Sequence, residues 1–177
     1  MLLDLNLREI EKRASAIAFP HQAIIGGRKV PSRSGATFDH VSPRDGRLLS
    51  RVASCDEGDV DLAVSAAREA FEDGRWRHMA PEARKKVLHH LADLLEAHAE
   101  ELALLESLDT GKPITDAAQI DIPLSIQSAR WYAEALDKIY GEVGPTPINR
   151  LSFAVHEPLG VIGAIVPWNF PLHMAMW

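Results

Sequence analysis

Residues 159 to 177, LGVIGAIVPWNFPLHMAMW, contain no Asp, Glu, Lys or Arg. A stretch this apolar has to leave water, into a membrane or into a protein core. Pro167, Asn169 and Pro171 stand in its middle, and a spanning helix tolerates such residues only where neighbours satisfy the freed backbone. The pattern therefore predicts a strand buried on both faces over Val161, Ile162, Ala164, Ile165 and Val166, then a turn and the start of a helix. That is the signature of a parallel α/β sheet, and no membrane partner is expected.

The other end of the chain supports the same class. Its start, MLLDLNLREIEKRASAIAF, carries Asp4, Glu9 and Glu11 where a secretory signal would be basic and then uninterruptedly apolar. Leu3, Leu7, Ile10, Ala14 and Ile17 step by four and three, which predicts a short amphipathic helix over this segment. A net charge of −6 gives no footprint for nucleic acid. The single cysteine, Cys55, leaves no internal disulfide and fits a reducing compartment, the cytoplasm.

Between these ends the punctuation is local. QAIIGGRKV, ATFDHVSP and GRLLSRVAS read as strands, with Gly26-Gly27 and Pro43-Arg44-Asp45-Gly46 as hairpin turns. Asp56 is a candidate N-cap for a helix that places Val60, Val64, Ala67 and Phe71 on one face and stops at Gly74. From Pro81, Leu88, Leu91, Leu95, His98, Leu102 and Leu105 predict one long helix, ended by Gly111 and Pro113. A third helical region, 114 to 140, stacks Ile122, Ile126, Ala129, Ala133, Leu136 and Tyr140, and Pro123 should kink or divide it. Gly141, Gly144, Pro145 and Pro147 then form a linker before an edge strand through Leu151, Phe153 and Val155. The predicted organisation is an N-terminal amphipathic segment (1–20), a strand-rich region (21–55), a helical part (56–141), a linker and edge strand (142–158), and the start of a buried sheet (159–177).

DEGDVDLAVSAAREAF, LESLDTGKP and EPLGVIGAIVPWNFPL, in this order and spacing, resemble successive signatures of the NAD(P)-dependent aldehyde dehydrogenase family. IDIP, ARWYAEALDKIYGEV and AHAEELALLESLDTGKPI bring the chain nearer to the bacterial gamma-glutamyl-gamma-aminobutyraldehyde dehydrogenases of putrescine breakdown. The resemblance covers residues 20 to 177, and because family members are well over twice as long, the chain looks like an N-terminal portion. It implies an α/β fragment made of oligomerisation strands, wrapping helices and the first strand of a Rossmann-like cofactor domain. It also implies an aldehyde substrate, NAD or NADP as cofactor, and a homo-oligomer.

In the family reaction a thiolate attacks the aldehyde, hydride passes to the nicotinamide, and a thioester is hydrolysed. The resemblance makes Asn169 the donor to the oxyanion, a role worth ~3–4 kcal/mol for one well-placed group. Read from its neighbours alone, Asn169 is better explained as a turn residue between two prolines, and it is the resemblance that reverses this reading. By resemblance, Ile165, Val166, Pro167 and Trp168 lie beside the cofactor. Phe170, His173, Met174 and Trp177 share one helical face that would line the aldehyde channel, opposed by Leu124. His173 stands where the family usually has an aliphatic residue.

Other candidates are weaker. Cys55 precedes a helix, where its thiol could gain reactivity, but it is not in the position of the family nucleophile. His89, His90 and Asp93 lack a third convergent ligand, so no metal is expected. Asp109 either terminates a helix with Gly111 or belongs to the LDTGKP motif near a cation site. Gly160 and Gly163 make no phosphate-binding fingerprint, and the family's cofactor lysine, nucleophilic cysteine and general-base glutamate have no counterpart here. The isolated chain is accordingly expected to show no aldehyde oxidation and no tight NAD binding. The rival expectations are a truncated subunit that pairs with intact homologues through residues 150–156, and a remnant without function.

Overall fold

The computed structural model describes residues 2–177; Met1 and the side chain of Leu3, counted above on the first helix's apolar face, lie outside the described residues. Helix α1 (Leu7–Ser15) starts at a capping box in which Asn6 Oδ1 accepts the Glu9 N–H and Glu9 Oε2 accepts the Asn6 N–H, each at 3.1 Å. Its Ile10 and Ala14, with Ile17, lean on the core.

Two hairpins follow, β1 (Ala23–Ile25) with β2 (Arg28–Val30) and β3 (Thr37–Val41) with β4 (Leu48–Ala53), both antiparallel. The first turns at Gly26 and Gly27, whose φ of 57° and 75° suit the two-residue turn that matches strand twist. Helix α2 (Glu57–Glu72) begins at the expected Asp56, which forms a capping box with Asp59.

The long helix predicted from Pro81 is divided into α3 (Pro81–Ala97) and α4 (Ala99–Thr110), and the break falls at His98 (φ −105°, ψ 15°), which is exposed rather than on the apolar face. A straight helix over that span would reach about 45 Å. Bending it lets Ala92 and Leu95 of α3 and Ala103 and Leu104 of α4 join one cluster.

The third helical region divides as Pro123 demands. A short α5 (Ile114–Asp116) runs into a π turn over Ala117–Asp121, and α6 (Ile122–Ala135) restarts with the proline in its first turn. Proline has no N–H for the Gln119 carbonyl one turn back, and the wider turn absorbs that loss. Helices α3 and α6 pack against each other, with Ala92, Ala129 and Ala133 buried in α3 and α6. Leu2, Leu104, Ala117, Ile122 and Ile126 complete the core. Among the described residues no helix is long and apolar enough to cross a membrane.

Two further expectations need correction. The linker holds a strand of its own, β5 (Glu142–Gly144), paired antiparallel with the predicted edge strand, β6 (Ser152–Ala154). Residues 161–166 form no strand, and Ile165 is fully exposed at 103 %. A parallel strand takes its hydrogen bonds and its cover from neighbouring strands. The three sheets among the described residues are separate antiparallel pairs, and none includes this segment. The segment leads instead to α7 (Pro171–Met176), which docks on α6 and reaches the core through Leu172 and Met176.

Candidate active site

The end of α4 builds the site's foundation. Gly111 caps the helix at φ 78°, a left-handed conformation that costs glycine little, and the reversal returns Lys112 to Glu106 on the helix's last turns. Thr110 Oγ1 donates to the Glu106 carbonyl at 2.6 Å and Ser107 Oγ donates to the Lys112 carbonyl at 2.8 Å, so the turn is held from both sides.

Lys112 is the hub. Its ammonium donates to Glu106 Oε1 at 3.3 Å, to Asp121 Oδ2 in a short ion pair, and to the backbone carbonyl of Asn169 at 2.7 Å. It also lies 4.2 Å from the centre of the Phe170 ring, a cation–π contact. Asp121 comes from the π turn, where Ser125 Oγ donates to its carbonyl at 2.7 Å. The last turns of α4, the π turn and the segment entering α7 therefore meet on one nitrogen.

Both carboxylates are buried, with side chains 4 % exposed for Glu106 and 2 % for Asp121. Two buried negative charges beside one positive charge are costly, and holding a proton relieves them. Burial, reinforced by a hydrogen bond with Asp121, pushes Glu106 up to about 7 against the pull of Lys112. Burial alone would lower Lys112, but Asp121 and Glu106 outweigh it and hold the ammonium above its ordinary range.

Asn169 sits in the turn just before α7 and is exposed. Phe170 precedes Pro171 and Trp168 follows Pro167, so the backbone around Asn169 has restricted freedom. Ile165, Val166, Pro167 and Trp168 form an exposed apolar strip leading to it, with Trp168 77 % exposed.

The predicted channel residues are partly brought together. With Leu172 and Met176 turned to the core, His173 and Trp177 stack their rings at 6.3 Å. The Trp177 carbonyl accepts from Tyr132 Oη at 2.6 Å, and Trp177 closes a cleft of ≈ 270 Å³ with Gln127, Ser128, Trp131 and Tyr132. Leu124 is not among that cleft's lining, and neither are Phe170 and Met174. Lys112, Glu106, Asp121 and Tyr132 escaped the sequence reading. A signal for three of them was present: Glu106 and Lys112 flank the helix stop in LESLDTGKP, and Asp121 is a lone charge between two isoleucines.

The remaining candidates are engaged elsewhere. Cys55 is exposed just before α2. His89 Nε2 pairs with Glu134 Oε1 at 2.8 Å, and among the described residues no group of three ligating side chains could hold a metal. Asp109 Oδ1 pairs with His40 Nε2 at 2.6 Å, tying α4 to β3.

The sequence model of the aldehyde dehydrogenase family matches residues 29–177. The aminoacetaldehyde dehydrogenase of Pseudomonas aeruginosa is 46 % identical over 173 residues, covering 98 % of this chain and 35 % of that protein. The NADP/NAD-dependent aldehyde dehydrogenase PuuC of Escherichia coli is 48 % identical over 167 residues, covering 94 % of this chain and 34 % of that protein. Among solved structures, the gamma-glutamyl-gamma-aminobutyraldehyde dehydrogenase from Burkholderia cenocepacia superposes with a TM-score of 0.95 at 46 % identity, covering 98 % of this chain and 35 % of that one. The chain thus spans about a third of the length of these relatives. The matched span takes in helices α2 to α7, the Lys112 hub and the turn carrying Asn169, and the chain belongs to the aldehyde dehydrogenase family.

Proposed function

We propose that this chain supplies the oxyanion-binding asparagine and part of the dinucleotide surface for oxidation of an aldehyde to a carboxylic acid with NAD or NADP. The observation that carries the reading is Asn169: a neutral amide, exposed, in a turn bordered by two prolines and gripped at its carbonyl by Lys112. Such a donor, aimed at an aldehyde oxygen as charge builds on it, lowers the barrier without having to reorganise. The substrate class we assign is an amino-bearing aldehyde such as gamma-glutamyl-gamma-aminobutyraldehyde, supported by what the relatives' names state. Phe170, His173, Met174, Trp177 and, from α6, Leu124 are the side chains we assign to its channel.

The cofactor fits this chain in part. Ile165, Val166, Pro167 and Trp168 offer an apolar strip suited to the flat faces of a dinucleotide, which would supply the hydride acceptor. The pyrophosphate gains no glycine-rich cradle from Gly160 and Gly163. Cys55, the single thiol, belongs to the start of α2 rather than to the Asn169 turn. The 177-residue polypeptide tested alone is therefore proposed to bind NAD weakly and not to turn over. A reducing, cytoplasmic setting is consistent with the exposed thiol.

A second reading rests on β6. It pairs with β5 on one edge, and Phe153 at its centre is 67 % exposed. Such an edge is a template for another strand, so we also propose pairing with a second copy or a full-length homologue.

The deciding experiment is Asn169→Ala in the full-length protein. Loss of one oxyanion donor should lower kcat by about 100- to 1000-fold, with little change in KM for the aldehyde. Unchanged turnover would overturn the oxyanion reading.

A further inference from the structure

We propose that Lys112 is the positioning residue of this site: clamped between the buried carboxylates of Glu106 and Asp121, its ammonium holds the Asn169 carbonyl and thereby aims the Asn169 amide at the reacting oxygen. The inference rests on the oxyanion reading of Asn169 given above.

The geometry supports it at each contact. An amide can stabilise a developing charge only if it waits in place, and a displacement of about 1 Å can cost about 100-fold in rate. The carbonyl carbon and the β-carbon of a residue share its α-carbon, so a pinned carbonyl fixes the base from which the side chain projects. Holding the Asn169 carbonyl at 2.7 Å therefore restrains where its side-chain amide can reach, while Pro167 and Pro171 limit the backbone on either side. The Phe170 ring packed over the ammonium fixes the residue that follows.

The ammonium is itself immobilised. Lys112 Nζ meets Glu106 from α4 and Asp121 from the π turn, and the Lys112 backbone is tied to Ser107 and Thr110. A flexible surface lysine would follow the loop, whereas this one is anchored in the helical core and the loop is obliged to follow it. The π turn has a role in this arrangement, because Asp121 lies in its last position. π turns inside α-helices are frequent at functional sites.

The test uses the full-length protein and five variants: Asn169→Ala, Lys112→Met, Lys112→Met with Asp121→Asn, and each of those two lysine variants combined with Asn169→Ala. Adding Asp121→Asn removes one buried negative charge together with the lysine and keeps a folded variant available, in both backgrounds, if Lys112→Met alone unfolds. In whichever lysine variant retains a cooperative thermal transition, kcat should fall about 10- to 100-fold, with KM for aldehyde and cofactor within about twofold. In the Asn169→Ala background the same lysine change should lower kcat no further, because two residues acting as one unit are not additive. A purely structural role predicts the same factor in both backgrounds, and that result overturns the inference. So does a folded lysine variant with unchanged kcat while Asn169→Ala is impaired. If Asn169→Ala itself retains full activity, the oxyanion reading fails first, and the two failures are thereby distinguished.

Discussion

Glu106 is the group whose titration the fold has altered most visibly, and Glu106→Gln measures the effect. The carboxyl is buried beside Asp121 and is pushed from an ordinary value of 4.5 to about 7, first by burial and then by its hydrogen bond with Asp121. At about 1.4 kcal/mol per pH unit, that interval corresponds to about 3 kcal/mol. The sign follows from linkage. Below about pH 4.5 the folded and unfolded chains both hold the Glu106 proton. Between there and about pH 7 the folded chain holds more of it, so this contribution to stability falls as pH rises through the window and levels off above it. Glutamine keeps the shape, accepts from Lys112 and donates toward Asp121, as the protonated acid does, but does not ionise. Lys112 remains an ammonium throughout, since its carboxylate partners hold it above its usual range. Urea unfolding at pH 5 and pH 8 is the assay. Wild type and variant should be of similar stability at pH 5, and at pH 8 the variant should be the more stable by about 1–3 kcal/mol. Parallel stability curves across that range would refute the argument that Glu106 holds its proton near neutral pH.

Two further outcomes are expected. Gly111→Ala forces a β-carbon into a left-handed position and to 3.0 Å from Pro43 Cγ, so it should cost about 1–2 kcal/mol in urea unfolding; because Lys112 follows directly, kcat of the full-length protein should fall as well. The 177-residue chain by itself should generate no NADH from an aldehyde, yet should co-purify with a full-length homologue through β6; NADH formation by the purified chain, or indifference to the homologue, would refute the respective half.

Much of the local structure was readable in advance. Asp56, Gly74, Pro81 and Gly111 mark helix limits where expected, because caps and stops act on backbone groups within a turn of themselves. The failures concern cover and continuity. His98 falls on the apolar spacing of a single helix, but the chain bends there so that both halves reach one core. Val161 to Val166 has the composition of a buried strand and, without neighbouring strands among the described residues, forms none.

The sequence by itself determined most helix limits and the first two hairpins, the family and the candidacy of Asn169, since periodicity, turn chemistry and motif spacing are properties of short stretches. Only the tertiary structure decided that Asn169 is held, and by what. The lysine is 57 residues from it and 9 from Asp121, separations over which no local rule operates. Burying two carboxylates that repel each other becomes tolerable only when α4, the π turn and the segment entering α7 arrive together, because the Lys112 ammonium placed among them attracts both and a proton held on Glu106 relieves the repulsion that remains.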